Sequence, residues 1–505
     1  MTYRSLDALG RNDSWEGVAA VVAGLGVSGF AAADTLLQLG AAVTVVEDGS
    51  ADALVEKATL LEVLGADVRL GAAASGRGRD LPPATDVVVT SPAWRPSDPM
   101  LSDALSAGVP VWGEVELGWR LRGSAPWLCL TGTNGKTTTV QMLTAILTAA
   151  GLRTAAVGNV GMPVTEAVMD PWPYDVLAVE LSSFQLHWTR TLSAQAAAVL
   201  NVAPDHLDWY AGSTEPPQRA YAADKARVYE RTQVACVYNV DDPVTEQMVV
   251  DAEVIEGARA IGFTLGVPAI GMLGLVDDVL ADRAFVAERR TSAAELATLS
   301  DISPAAPHNV SNALAAAALA RAHGVPPIAV RDGLRSFRPD AHRIALVVAR
   351  DGVDWVDDSK ATNPHAALAS LRSYDSVVWL AGGLAKGADF DDLVRLSADR
   401  LRAAVLLGAD RHLVEQALRR HAPDVPVVDV GGGDTGQSGD QVMDRAVSAA
   451  AAVAQQGDTV LLAPGCASQD LYDGYAARGD AFASAVRRQG GQDPADGTAA
   501  QPGDG

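Results

Sequence analysis

Between an apolar run from Trp127 to Leu130 and an apolar-periodic stretch from Val140 to Ala149 stands Thr131-Gly132-Thr133-Asn134-Gly135-Lys136-Thr137-Thr138-Thr139. Glycines in such a loop let the backbone wrap closely around an anion, and a helix start presents free N–H groups to it. Lys136 adds a point charge for terminal phosphates, and a hydroxyl from Thr137 or Thr138 suits Mg²⁺. The usual phosphate loop, G-x-x-x-x-G-K-[ST], is longer; here only Thr133 and Asn134 separate Gly132 from Gly135. The departure argues against an ordinary nucleotide hydrolase and leaves the phosphate site in place. A plain glycine turn would not need the lysine.

Lysine is otherwise scarce. Only five of the 39 basic residues are lysine: Lys57, Lys136, Lys225, Lys360 and Lys386. Where arginine serves every generic positive charge, a surviving lysine points to a need for the compact ammonium or its reactive amine. Lys57, on the helix-like stretch Ala53 to Leu64, reads as solvated. Lys225, in Ala222-Ala223-Asp224-Lys225-Ala226-Arg227, is open between an ordinary exposed helical residue and a functional one. Lys360 lies in the acidic segment Asp357-Asp358-Ser359-Lys360-Ala361-Thr362-Asn363-Pro364, and Lys386 in the glycine-rich Gly382 to Phe390.

The elements that must hold these residues follow an α/β pattern. Residues 17–47 predict a strand from Val18 to Val22, a loop, a helix from Phe30 to Leu39 and a strand from Val43 to Val46. The loop, Gly24-Leu25-Gly26-Val27-Ser28-Gly29, is a GxGxxG, with Glu47 near the place where an acid meets a ribose hydroxyl. Alone it fits NAD, FAD, any nucleotide diphosphate or a structural turn. Asp86 to Thr90 reads as a strand leading to Ser91-Pro92, and Met100 to Ala107 as a helix. After the phosphate loop, strands at Ala155 to Val157, Val176 to Val179 and Ala196 to Leu200 deliver Asn159, Glu180 and His206. Ligands in open parallel sheets bind beyond the carboxyl ends of strands. Lys136, Asn159, Glu180 and His206 should therefore converge on one cleft, although each alone has a plain reading as a capped turn, an N-cap acid or a core histidine.

Residues 234–263 read as another strand-rich unit, and Leu265 to Pro307 as irregular. His308-Asn309-Val310-Ser311-Asn312 opens an Ala-rich helix reaching Ala322, stopped by Gly324 and Pro326. Further strands are expected at Val377 to Leu380, Ala404 to Leu407 and Thr459 to Leu462, the last delivering Pro464-Gly465-Cys466-Ala467-Ser468-Gln469. Surface loops are expected at Ser75 to Asp80 and Gly431 to Gly439, and a disordered polar tail from Gln489 to Gly505. Breaks near Arg120 to Ala125 and Phe337 to Pro339 give three α/β domains, 1–122, 123–338 and 339–488, with the tail at 489–505.

Composition narrows the class. The 505 residues are 48% hydrophobic, as in an ordinary globular protein, and the net charge of −23 disfavours nucleic-acid or anionic-membrane partners. No apolar run is long enough to span a bilayer, and no signal-peptide core opens the chain. Cys129, Cys236 and Cys466 are too scattered for a zinc site and suit a reducing cytoplasm.

Taken in order, these motifs resemble the Mur ligase family over nearly the whole chain, from about Val18 to Ala485. Gly132 to Thr138, Glu180 to Leu186, Asn201 to Asp208 and His308-Asn309 look like the shared ligase motifs. Asp358-Ser359-Lys360-Ala361-Thr362-Asn363 resembles the version in the D-glutamate-adding branch. The resemblance implies an N-terminal Rossmann-like domain for a UDP-sugar, a central P-loop-type ATPase sheet, and a C-terminal Rossmann-like domain closing over the cleft. It implies ATP-dependent amide formation between UDP-N-acetylmuramoyl-L-alanine and D-glutamate through an acyl phosphate, in peptidoglycan precursor synthesis by a cytoplasmic monomer.

By the same resemblance, Gly132, Thr133, Asn134, Gly135, Lys136, Thr137, Thr138, Asn309, Asn312 and Arg343 would bind ATP. Thr137 and Glu180 would hold one Mg²⁺, and His206 with a carbamylated Lys225 a second. Asn159 would orient the acceptor carboxylate. Val27 and Ser28 would meet the diphosphate, Glu47 and Ser91 the surroundings of the uridine, and Lys360, Ser468 and Tyr475 the D-glutamate. Two departures stand out: Ala306-Pro307 precede His308 where a glycine is frequent, and Tyr475 replaces a frequent Phe. Rival readings are another ligase of the superfamily such as folylpolyglutamate synthase, an NAD-dependent dehydrogenase resting on Gly24 to Gly29 alone, and a non-catalytic nucleotide sensor. Retention of Lys136, Glu180, His206 and Lys225 together speaks against the last.

Overall fold

Strands that lie between two helical layers need apolar side chains on both faces, and Ala19–Ala23 (β1), Ala42–Val46 (β2) and Val87–Thr90 (β4) are almost uninterrupted apolar runs. In the computed structural model, which describes residues 6–71, 79–432 and 438–490, they pair in parallel with Asp67–Arg69 (β3) and Val111–Gly113 (β5). The sheet order is β3-β2-β1-β4-β5. Its helices are Val27–Gln38 (α1), Asp52–Val63 (α2), Pro99–Ser106 (α3) and Glu114–Leu121 (α4). The order reverses between β1 and β4, so the crevice beyond their carboxyl ends is the switch point where such sheets bind ligands.

A nine-stranded sheet follows, ordered β14-β13-β12-β11-β10-β9-β6-β8-β7. Its strands are Trp127–Thr131 (β6), Thr154–Gly158 (β7), Val176–Glu180 (β8), Ala196–Val199 (β9), Ala235–Asn239 (β10), Arg259–Phe263 (β11), Met272–Val276 (β12), Val279–Asp282 (β13) and Ala294–Thr298 (β14). Pairing is parallel from β7 through β12, and the reversal falls between β6 and β9. Helices Lys136–Ala149 (α5), Val164–Met169 (α6), Ser183–His187 (α7), Pro217–Ala226 (α8), Pro243–Val250 (α9), Pro307–Ala322 (α10) and Pro327–Ser336 (α11) accompany it. From Asn309 to Ala320 only Ser311 of α10 is not buried. A helix apolar on every side belongs inside.

The segment from Leu265 to Pro307 is not irregular. It forms antiparallel strands β12 to β14, with β12 and β13 joined through Asp277-Asp278, where Asp277 takes φ +56°. A two-residue turn with positive φ matches the twist of a hairpin. Helices α1 and α5 also start earlier than expected, at Val27 and Lys136.

The third sheet, β15-β16-β20-β17-β18-β19, comprises Ala345–Arg350 (β15), Val353–Asp357 (β16), Val377–Ala381 (β17), Leu401–Leu407 (β18), Val427–Gly431 (β19) and Thr459–Leu462 (β20). It is parallel except for β15. Its helices are Pro364–Leu371 (α12), Asp391–Arg395 (α13), Arg411–His421 (α14), Gly439–Val453 (α15) and Tyr475–Gln489 (α16). The expected surface loop Ser75 to Asp80 lies outside the described residues up to Gly78, the loop 431–439 over 433–437, and the tail from 491 onward.

The chain divides into two units. One comprises Met1–Val202, Leu207–Ala305 and Asn309–Phe337; the other comprises Ala203–His206, Ala306–His308 and Arg338–Gly505. Among the described residues, no helix is long and apolar enough to cross a membrane.

Candidate active site

The phosphate loop joins β6 to α5 in the first unit. Gly135 is the N-cap of α5 with φ +82°, and a Cβ there would lie 2.3 Å from Asn312 Oδ1. Glycine is required both for the left-handed backbone and for that approach. Asn312 on buried α10 thus comes to the loop side, and one turn earlier Asn309 Nδ2 donates to the Pro304 carbonyl at 3.2 Å. Lys136 Nζ donates to the carbonyls of Gly132 and Thr133, each at 2.9 Å. Lys225 Nζ reaches the same Gly132 carbonyl at 2.8 Å.

Lys225 is not the solvated helical residue that spacing allowed. It is 2% exposed, and its ammonium sits 4.5 Å from the centre of the Tyr221 ring, one turn earlier on α8. The next acid, Asp224, is also buried and pairs with His187 at 2.8 Å and Arg227 at 3.1 Å. Two amines that sequence places 89 positions apart therefore share one carbonyl oxygen of the loop.

Glu180, the last residue of β8, is fully buried. Its Oε1 accepts from Asn159 Nδ2 at 2.8 Å, while Oε2 is buried without a hydrogen-bond partner. A buried carboxylate oxygen left in this state is costly unless something cationic completes it. The Thr137 hydroxyl, on the first turn of α5, is an oxygen of the same hard type that Mg²⁺ takes. Among the described residues no three His, Cys, Asp or Glu side chains gather into a metal site. The residues present fit an ion shared with a nucleotide rather than a cage made by protein alone. His206 has φ +51° and a side chain about half exposed, with Nε2 3.7 Å from Asp205 Oδ2; it groups with the second unit.

In the first sheet, the Gly24–Gly29 loop leads into α1, whose N-cap Gly26 offers no side-chain cap to the helix start. Val27 is 65% exposed there, and Ser28 follows it. A Cβ at Gly29 would fall 2.0 Å from the Gly24 carbonyl, so the third glycine serves close packing of the turn. Ser91, just past β4, presses on the same turn; its Oγ is buried without a hydrogen-bond partner. Glu47 does something spacing did not foresee. Its Oε2 accepts from the Leu25 N–H at 2.7 Å and its Oε1 from the Gly49 N–H at 2.8 Å, binding the loop after β1 to the end of β2.

In the second unit, the loops after the adjacent strands β16 and β20 carry Lys360 and Ser468. Lys360 Nζ lies 3.8 Å from the centre of the Tyr475 ring, a cation–π contact. Arg478, 1% exposed, ties the two loops: it donates to Ser359 Oγ at 3.0 Å, the Ser359 carbonyl at 2.9 Å and the Cys466 carbonyl at 3.1 Å. Burial lowers its guanidinium to about 10. Sequence reasoning passed over Arg478, because an arginine three places into a helix of an arginine-rich chain reads as solvated. The Asp358 carboxyl is buried and raised to about 6 by desolvation, against hydrogen bonding to Ser370 and the charge of Arg343. Ser468 is buried, and its carbonyl accepts the Leu471 and Tyr472 N–H groups. His342, with φ +64°, pairs with Asp357 at 2.6 Å.

Comparison with known proteins adds an independent line. Residues 130–320 match the Mur ligase middle domain, and residues 342–466 match the domain described as Mur ligase, glutamate ligase domain. The chain is 60% identical over 479 residues to the UDP-N-acetylmuramoylalanine--D-glutamate ligase of Streptomyces avermitilis, covering 94% of this chain and 99% of that one. It is 47% identical over 504 residues to the protein of the same name from Mycolicibacterium smegmatis, covering 93% and 97%. Among solved structures, the UDP-N-acetylmuramate-alanine ligase MurC of Thermotoga maritima aligns with a TM-score of 0.53 at 16% identity, over 94% of this chain and all of that one. A pseudomurein peptide ligase type C from Methanothermus fervidus gives the same TM-score at 16% identity, over 88% and 96%. At such identity the structural likeness speaks for the fold alone.

Proposed function

The chain belongs to the Mur ligase family, and we propose from that membership and from the geometry of its loops that it joins D-glutamate to UDP-N-acetylmuramoyl-L-alanine at the expense of ATP, in peptidoglycan precursor synthesis in the cytoplasm. The observation that carries the reading is nearly full-length similarity to relatives of that name, in a chain that keeps both the phosphate loop and the Asp358 to Asn363 loop.

A carboxylate is a poor acyl donor because oxide is a poor leaving group. The L-alanyl carboxylate therefore attacks the γ-phosphorus of ATP, ADP departs, and an acyl phosphate results. The amine of D-glutamate then attacks the acyl carbon, inorganic phosphate leaves with the C–O bond, and the amine gives up its proton. Two anions meet in the first step, and their repulsion has to be neutralised. Lys136, released from the Gly132 and Thr133 carbonyls, turns its ammonium to the transferring phosphate. Thr137 and Glu180 would hold Mg²⁺, which supplies charge neutralisation across the phosphate oxygens. Asn159, fixed by Glu180, orients the acceptor carboxylate.

A carbamylated Lys225 would serve a second ion. Burial of Lys225 at the phosphate loop, in a chain that uses arginine nearly everywhere else, supports that assignment. Asn309 and Asn312 take the nucleotide, and the N-terminus of α1 at Val27 and Ser28 takes the UDP diphosphate. Ser91 lies at the uridine side, where Glu47 acts by shaping the loop as well as by contact. Lys360, Ser468 and Tyr475 grip D-glutamate, with Arg478 bracing their loops.

The deciding assay is phosphate release from ATP in the presence of UDP-N-acetylmuramoyl-L-alanine and one amino acid at a time. D-glutamate should support turnover and L-glutamate should be refused. A preference for L-alanine or a diamino acid would place the chain in another branch, and release only with a folate acceptor would favour the folylpolyglutamate reading.

A further inference from the structure

The shortened phosphate loop is held from outside. In the longer loop of ordinary nucleotide hydrolases, successive backbone N–H groups close a nest around the anion by themselves. Here Thr133 and Asn134 are the whole span between the two glycines, and each is tied to a residue of another element. Asn201, two residues past the end of β9, meets Asn134 with both ends of its side-chain amide. Its Oδ1 accepts the Asn134 N–H at 2.9 Å, and its Nδ2 donates to the Asn134 carbonyl at 3.1 Å. The Asn201 carbonyl also accepts the Thr133 N–H at 3.0 Å. On the other side, the Tyr221 hydroxyl and Thr133 Oγ1 lie 3.0 Å apart, and the Tyr221 ring is 2% exposed beneath Lys225.

The placement follows from topology. Strands β6 and β9 are parallel neighbours on either side of the reversal in strand order, so the segment after β9 runs alongside the segment after β6. A Cβ at Gly132 would stand 3.0 Å from Leu200 Cβ and 3.4 Å from the Asn201 nitrogen, which leaves the loop no slack on that side. The Asn134 N–H is occupied by Asn201, so these contacts define the loop's shape rather than provide ligand contacts.

We propose that Asn201 and Tyr221 are positioning residues that preorganise the short phosphate loop for nucleotide, an inference that rests on reading this loop as the ATP site. Neither side chain needs to touch the nucleotide. Asn201 fixes the backbone at Asn134, and Tyr221 fixes the side chain of Thr133 while its ring steadies the amine of Lys225. A loop that must be ordered on each binding event loses affinity, and a misplaced phosphate slows transfer.

The test uses the full-length protein with Asn201→Ala, Asn201→Asp and Tyr221→Phe. ADP binding is read by calorimetry and the KM of each substrate by steady-state kinetics. Asn201→Ala should weaken ADP binding and raise the KM for ATP by about tenfold or more, with the KM for D-glutamate changed by less than about twofold. Asn201→Asp should be no better than alanine, because its second oxygen would face the Asn134 carbonyl. Tyr221→Phe keeps the ring and loses only the hydroxyl, and should give about a threefold loss of ADP affinity and a matching rise in KM confined to ATP. The double variant should fall short of the product of the two single effects, since both residues act on one loop.

Unchanged ADP affinity in folded Asn201→Ala, or an equal rise in the KM of every substrate, would overturn the proposal. Should the asparagine variants not fold, unchanged ADP affinity in Tyr221→Phe would overturn it equally. Calorimetry with ADP is independent of amide synthesis. Failure of the D-glutamate reading would thus leave wild-type ADP binding, and its loss in Asn201→Ala, intact.

Discussion

Lys136 illustrates how much a single side chain does here. Its ammonium donates to two carbonyls of the phosphate loop itself, contacts local to that loop. Lys136→Ala should therefore stay folded while losing about 3 kcal/mol of transition-state stabilisation, roughly a hundredfold in rate or worse. Near-normal turnover of the folded variant in a phosphate-release assay would sink the assignment. Lys225 carries a sharper expectation. A deprotonated lysine amine adds CO₂ to form a carbamate and release a proton, giving an anionic oxygen ligand that suits Mg²⁺. Arginine cannot follow this route. Lys225→Arg should be almost inactive, and Lys225→Ala should recover part of its activity with short carboxylic acids, measured as rate against acid concentration. Full activity of Lys225→Arg in bicarbonate-free buffer would falsify the carbamate. Both lysines stood out because lysine is rare in this chain, although the stretch around Lys225 left open whether it is functional or merely solvated. The burial of Lys225 was not legible, since a helical Ala-Ala-Asp-Lys stretch carries no sign of which face turns inward.

Elements are held to one another by groups that spacing does not reveal. Helix α6 begins at Val164 behind Pro163, which offers no side-chain cap. The missing acceptor comes from α4: Glu114 Oε1 takes the Thr165 N–H at 2.6 Å and the Thr165 hydroxyl at 2.9 Å. The other oxygen, Oε2, is buried without a partner. Desolvation raises this carboxyl from 4.5 to about 7, with the hydrogen bonds from Thr165 opposing the shift. The folded state thus holds a proton between about pH 4.5 and 7 that the unfolded chain has released, so stability falls as pH rises through that window. The loss is on the order of 3 kcal/mol. Glu114→Gln keeps an acceptor for Thr165 and removes the titration. Its urea midpoint should match wild type near pH 4.5 and exceed it near pH 8. An unaltered pH slope would assign the effect elsewhere. Strands in the parallel sheets could be read from their apolar runs, such as Val87–Thr90 and Val377–Ala381. Strands β12 to β14 could not, because glycines at 266, 271 and 274 and the helix-favouring Ala-Glu-Leu-Ala of β14 hide the alternation that pairing imposes.

At the scale of the whole molecule, the residues that the sequence sets out in order are divided between two units, and the chain passes from one to the other after Val202, His206, Ala305, His308 and Phe337. Lys136, Asn159, Glu180 and Lys225 belong to the first unit, and Lys360, Ser468, Tyr475 and Arg478 to the second. Amide formation requires the amine of D-glutamate to approach the activated carboxylate to about 3 Å. It also requires that water be kept from the acyl phosphate, which would otherwise hydrolyse and waste ATP. Under the proposed function, both demands call for a change of shape that the ligands drive. The turn at Phe337 to Pro339, where α11 ends and proline bars further helix, is where the backbone rotation should be concentrated. Small-angle scattering should therefore record a smaller radius of gyration with nucleotide and UDP-N-acetylmuramoyl-L-alanine together than with either alone. Equal radii with and without saturating ligands would overturn that expectation.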